Sequence, residues 1–202
     1  MLTLTLTLLA YLIGSVSFAV VVSRAFGLPD PRTYGSGNPG ATNVLRSGKK
    51  AAAAVTLLGD GAKGWLAVVI AAHVAESTAV EVATAAAAVA VVVGHMYPLF
   101  FRFQGGKGVA TAFGVMIGLN AYVALGTLAT WLMIAAFFRI SSLAALVSAV
   151  FAPFFTLLLY SIAHAYFVAV SFIAALLIWR HRSNIRKLLA GTEARLGGGK
   201  RV

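Results

Sequence analysis

Residues 108–138 read GVATAFGVMIGLNAYVALGTLATWLMIAAFF, and the way this stretch divides decides the fold. As one helix it far exceeds the roughly 20 residues that cross a hydrocarbon core; as two, its first piece, 108–119, falls short of that length. Charge settles the choice. Further apolar runs lie at 2–23, 52–74, 79–100, 141–160 and 163–180. With 108–119 and 121–138 counted separately and the N-terminus outside, Arg24, Arg32, Arg46, Lys49, Lys50, Arg102, Lys107 and Arg139 fall on one face. The tail residues Arg180, Arg182, Arg186, Lys187, Arg195, Lys200 and Arg201 fall there too. The other face carries no Lys or Arg, only Glu76, Glu81, the histidines His73 and His164 and small polar residues. That is the asymmetry expected of cytoplasmic loops. Joining the two pieces would invert everything downstream and send the basic tail outside. The expectation is therefore an all-α, polytopic membrane protein of seven transmembrane helices, N-terminus outside and C-terminus cytoplasmic.

Composition agrees. Of 202 residues 60% are hydrophobic and 10% charged, with a mean hydropathy of +0.93. A soluble domain of this size cannot hide so much apolar surface. The first run lacks a basic leader and is followed by further spans, so a retained helix is expected instead of a signal peptide. The absence of cysteine excludes thiol catalysis, disulfides and thiolate metal sites. A net charge of +11 reports topology before it suggests nucleic acid. No internal repeat is visible, and alanine tracts such as Ala83–Val93 suit close packing of membrane helices. Residues 1–190 are expected to form a single transmembrane domain and 191–202 a cytoplasmic tail, its Gly197–Val202 end disordered.

Three glycine-rich islands fall on the basic face. The first, Tyr34–Arg46, reads YGSGNPGATNVLR; the second, Asp60–Gly64, reads DGAKG; the third runs GHMYPLFFRFQGGKGVAT from Gly94 to Thr111. The second island is expected to break its span, or to begin it deep in a cavity, because irregular backbone at that depth must be buried or line water. In the third, Gly105-Gly106-Lys107-Gly108 directly precedes a helix. Backbone N–H groups, a helix N-terminus and a lysine make an anion site. The Walker A spacing is absent, so a phosphate group is expected without nucleotide machinery. Glycine turns between membrane helices are common, and Lys107 and Arg102 also suit anchoring at headgroups. Asp60 and Lys63 lie three apart on one helical face and can neutralise each other, although an ionisable pair within a span points to function by default.

Together with the tail RHRSNIRKLLAGTE from Arg180, these motifs resemble the acyl-phosphate:glycerol-3-phosphate acyltransferase (PlsY) family of bacterial membranes, in order and over the whole chain. The resemblance implies seven membrane helices with an active site facing the cytoplasm of the bacterial inner membrane. It implies acyl transfer from acyl-phosphate to glycerol 3-phosphate, giving 1-acylglycerol 3-phosphate (lysophosphatidic acid) and phosphate. The expected partners are these two substrates, membrane lipid and a soluble enzyme supplying acyl-phosphate; no cofactor, metal or nucleic acid is implied. The His-x4-Asp dyad of the pathway's soluble acyltransferases is missing, since Phe100 stands at that spacing from His95. A substrate phosphate is then the expected base.

By matching motifs, Ser36, Arg46 and Asn184 are implied to be catalytic. Asn38, Thr42, Asn43, Gly105, Gly106, Lys107, Gly108, Ser142 and His181 are implied to bind substrate, with an N-cap as the competing role of Ser142. Asp60, Lys63, His95 and Glu193 are given supporting roles, Glu193 as the acceptor that ties the tail down. A transporter for a phosphorylated solute and a lipid-binding scaffold are the rival readings. One-sided clustering of the polar motifs and the lack of a repeat oppose the first.

Overall fold

A computed structural model describes residues 1–196; the Gly197–Val202 end, with Lys200 and Arg201, lies outside the described residues. The described residues form helices and turns without strands. In chain order the helices are α1 (Leu2–Gly14), α2 (Phe18–Ala25), α3 (Ala41–Leu45), α4 (Lys50–Val74), α5 (Val80–Met96), α6 (Val109–Leu119), α7 (Ala121–Phe138), α8 (Ser141–Leu157), α9 (Ala165–Arg180) and α10 (Arg182–Leu189). Among the described residues four stretches are long and apolar enough to cross a membrane: Leu2–Ala25, Lys50–Val74, Val80–Phe101 and Ala121–Phe138. The pair α9 and α10, bent by 58°, makes a fifth if taken as one span. The division of the opening stretch is real: α6 ends at Asn120, whose backbone is extended, before α7 begins.

The chain forms two compact units, Met1–Asn120 and the part beginning at Ala121. In the first, α1 packs on α5, and α4 packs on both α5 and α6. The contacts are backbone-close. A side chain at Gly64 would strike the Thr111 carbonyl, and one at Gly114 would strike the Gly61 carbonyl. The core is accordingly built of small residues, among them Ala67, Ala71, Ala83, Ala87, Ala88, Val91 and Val115, as in membrane helices that associate by close approach. In the second unit α8 packs on α7 and α9 around Ala144, Ala149, Val170 and Ile173. Large side chains such as Leu58, Tyr122, Phe137 and Ile162 face outward, the reverse of a soluble protein.

Two local expectations fail. The second island does not break its span: α4 runs without interruption through Gly59–Gly64. Its glycines remove side chains where α6 and Phe18 press against the helix, so they serve approach instead of a bend. The first run, drawn as one helix, is interrupted at Ser15–Ser17. Ser15 Oγ donates back to the Tyr11 carbonyl at 2.9 Å and accepts from Leu99 N at 3.2 Å. Beside Gly14 this is a familiar cause of a helix break.

Candidate functional site

The first island begins in the loop after α2 and includes α3. Val44 of α3 is fully buried in a cluster with Ala19, Val22, Ala52 and Ala53, which pins the loop at its base. Asn43 then staples it. Its Nδ2 donates to the carbonyls of Pro31 (2.7 Å) and Tyr34 (3.1 Å), and its Oδ1 accepts from Ser36 N at 2.9 Å. The donors of Asn43, expected to face phosphate, are therefore spent on the loop itself. Asp30 and Arg32 close the near side with an ion pair at 2.6 Å. The hydrogen bond from Arg32 holds the Asp30 carboxyl below its usual range against an opposing cost of burial. What this scaffold leaves exposed is Ser36, Thr42 and Arg46, with Asn38 half-buried. The Arg46 side chain lies over Gly35, where a Cβ would come within 3.2 Å of it.

The third island returns to the same place. Gly106 N donates to the His95 carbonyl at 3.1 Å. A side chain at Gly106 would strike both the His95 ring and the Pro39 carbonyl of the first island. Arg32 also sits 5.9 Å above the Phe101 ring, tying the two loops again. Gly108 caps α6 at φ 86°, a left-handed conformation that glycine adopts without strain. Gly105, Gly106 and Gly108 are buried, while Lys107 is half-exposed. A turn of this kind opening a helix suits an anion.

The second island lies beneath, in the helix packing. Lys63 Nζ approaches Asp60 Oδ1 at 2.9 Å, at ion-pair distance but off hydrogen-bond alignment. It donates to the Val16 carbonyl at 2.6 Å, a group freed by the break between α1 and α2. His95 Nδ1 is 3.5 Å from Asp60 Oδ1 and 3.1 Å from Thr111 Oγ1. Asp60, Lys63 and His95 are 2%, 4% and 7% exposed, so this cluster is closed to bulk water.

The second unit holds the tail motif. Glu193 Oε1 accepts from Asn184 Nδ2 at 2.6 Å and from Ser142 Oγ at 2.7 Å. Ser142 lies inside α8, whose N-cap is Ile140, and so does not cap the helix; its hydroxyl is directed at Glu193. His181, at the joint of α9 and α10, is buried with Nδ1 2.7 Å from the Leu177 carbonyl. Leu196 bonds to Arg139 through main chain and side chain, which extends the tail's attachment.

The family model for glycerol-3-phosphate acyltransferase matches residues 4–191. The chain belongs to the glycerol-3-phosphate acyltransferase family. Its relative from Ralstonia nicotianae is 62% identical over 98% of this chain and 96% of that protein. The one from Burkholderia thailandensis is 62% identical over 95% and 94%. Two crystal structures of PlsY, an integral membrane glycerol 3-phosphate acyltransferase, share the fold at 38% identity. The glycerol 3-phosphate form aligns with TM-score 0.88 over 96% of both chains. The lysophosphatidic acid form aligns with TM-score 0.87 over 96% of this chain and 95% of that one.

Within this family member, the groups that sequence reasoning missed are Thr111, the Val16 carbonyl and Arg139. Thr111 closes the third island's motif without a side-chain role assigned there. The polar pair Ser15 and Ser17 inside an apolar run was the available sign of the break. The Arg139–Leu196 contact has no signal in the sequence.

Proposed function

We propose that this protein transfers a fatty acyl group from acyl-phosphate to glycerol 3-phosphate, giving 1-acylglycerol 3-phosphate and inorganic phosphate. The observation that carries the reading is the meeting of the first and third islands at Pro39 and Gly106. It gathers exposed Ser36 and Arg46 with a glycine turn and Lys107 in one unit, donors suited to phosphate anions. In the reaction a hydroxyl oxygen of glycerol 3-phosphate attacks the acyl carbon. The bond from that carbon to the phosphate oxygen breaks, and phosphate leaves with the electron pair. The hydroxyl proton passes to a substrate phosphate, because a phosphate dianion titrates near neutrality. Arg46 and Ser36 orient the reacting phosphate and stabilise charge developing on the acyl oxygen. Lys107 and the turn around it hold glycerol 3-phosphate. Asn184, held by Glu193, and His181 act in the same turnover, so Asn184→Ala loses activity as Arg46→Ala does.

The same reading makes the chain a seven-span protein of the bacterial inner membrane with its basic face in the cytoplasm. A soluble enzyme there supplies acyl-phosphate. Cysteines introduced at Ser47 and Ser183 stay protected from impermeant thiol reagents in intact cells, whereas one at Ser77 is labelled. Labelling of all three from outside refutes this topology. The reaction itself is tested by giving purified protein glycerol 3-phosphate with acyl-phosphate, acyl-CoA or acyl-carrier-protein thioester. Only acyl-phosphate is expected to acylate it. Equal use of a thioester rejects the donor assignment, and solute uptake into sealed vesicles with acyl-phosphate left intact identifies a transporter.

A further inference from the structure

The buried network of Asp60, Lys63, His95 and Thr111 is larger than the neutralisation of one charged pair requires. Its members come from α4, α5 and α6, and through the Val16 carbonyl it also grips the break between α1 and α2. It reaches the Gly105–Gly108 turn through His95, in two ways. The His95 carbonyl accepts from Gly106 N at 3.1 Å, and the His95 ring lies directly against Gly106, where no side chain would fit. The neighbouring Gly105 rests on the carbonyls of His95 and Met96 in the same manner. The place of the glycine turn thus depends on His95. The ring of His95 is set by Thr111 and Asp60, and Asp60 is held by Lys63.

We propose that Asp60, Lys63, His95 and Thr111 are positioning residues that fix the Gly105–Gly108 turn where the phosphate of glycerol 3-phosphate meets it, without touching that substrate themselves. The inference rests on the assignment of glycerol 3-phosphate to this turn. Apolar side chains of similar volume hold helices together at least as well as a buried ion pair does. They have no direction, however, whereas this network constrains the rotation of the His95 ring and hence the turn above it. Backbone donors are effective only when already aimed at their ligand, and small misplacements are costly. α4 and α6 approach closely enough for the network because Gly64 and Gly114 carry no side chains.

The test is steady-state kinetics of three purified variants. His95→Phe keeps an aromatic ring but discards both ring nitrogens, the Nδ1 contacts with them; it raises KM for glycerol 3-phosphate about tenfold, with kcat within about threefold of the parent and KM for acyl-phosphate unchanged. Thr111→Val is isosteric, removes only the hydroxyl contact and raises the same KM about threefold; it carries the test alone if His95→Phe does not fold. Lys107→Ala raises it through direct loss of the ligand contact. If Lys107→Ala raises KM while folded Thr111→Val and His95→Phe keep the parental value, the network is merely structural and the proposal is overturned. If none of the three changes KM, the assignment of the turn to glycerol 3-phosphate has failed, and the proposal with it.

Discussion

Lys63 and Arg46 are both cations beside glycines in the first unit, yet their surroundings are opposite. Lys63 is 4% exposed, set against Asp60 at 2.9 Å and the Val16 carbonyl at 2.6 Å. Arg46 is exposed beside the Gly35 backbone, on a loop that the Asn43 side chain staples. A charge that the fold has already neutralised is part of the packing. One held out by a loop stapled from elsewhere is placed to meet a ligand. The same contrast separates Asn43 from Ser36, seven residues apart in one motif: the first is consumed by the loop and the second is presented by it.

The largest effect expected to sharpen this contrast is on stability. Lys63→Met strands the Asp60 carboxylate in a dry helix interface and costs about 3–5 kcal/mol, seen as loss of folded protein in detergent melts. Asp60→Leu/Lys63→Met removes both charges and recovers most of it. A Lys63→Met protein as stable as the parent breaks the comparison. For Arg46 the loss falls on chemistry instead. Arg46→Ala lowers turnover on the order of a hundredfold or more with the melt unchanged. Arg46→Lys restores little, because an ammonium does not reproduce a planar two-point contact. Full rescue by lysine removes the case for orientation.

Ser142→Ala comes next, at about 1 kcal/mol of stability, since it deletes one of two donors to Glu193. An unchanged melt together with raised substrate KM would return Ser142 to direct binding. The smallest effect is at Asp30. Its folded carboxyl titrates below the ordinary value because Arg32 donates to it, so its contribution is fully present above the unfolded pKa of about 3.9. It disappears only as pH falls through the lower folded value. Being part-exposed, the pair is worth at most about 1 kcal/mol. Asp30→Asn should therefore match the parent's pH dependence of stability from about 5 to 8 and differ only under acid conditions.

How much of this was legible in the sequence differs by kind of residue. The all-helical class and the division at Asn120 follow from hydropathy and charge, because membrane solvation constrains whole segments. The islands were visible because glycine, proline, asparagine and basic residues cluster there beside the apolar runs. Their local geometry was not. Gly59–Gly64 reads as a breaker, but its effect depends on what packs outside the helix, and here that is the backbone of α6 and the ring of Phe18. Ser15 and Ser17 lie inside an apolar run drawn as one helix, yet the run breaks there, and Lys63, far along the chain, uses the carbonyl released. Asn43 and Ser142 fit a ligand-binding motif equally well before and after folding; only their partners, twelve and fifty-one residues away, show where their hydrogen bonds go.

The central claim is that the exposed donors of this fold serve acyl transfer between two phosphate compounds. Phosphorus NMR of the purified protein with acyl-phosphate and glycerol 3-phosphate tests it most directly. One inorganic phosphate and one 1-acylglycerol 3-phosphate are expected for each acyl-phosphate consumed, with both signals lost in Arg46→Ala. Acyl-phosphate that persists beside folded protein, or phosphate released without the acylated product, would contradict it.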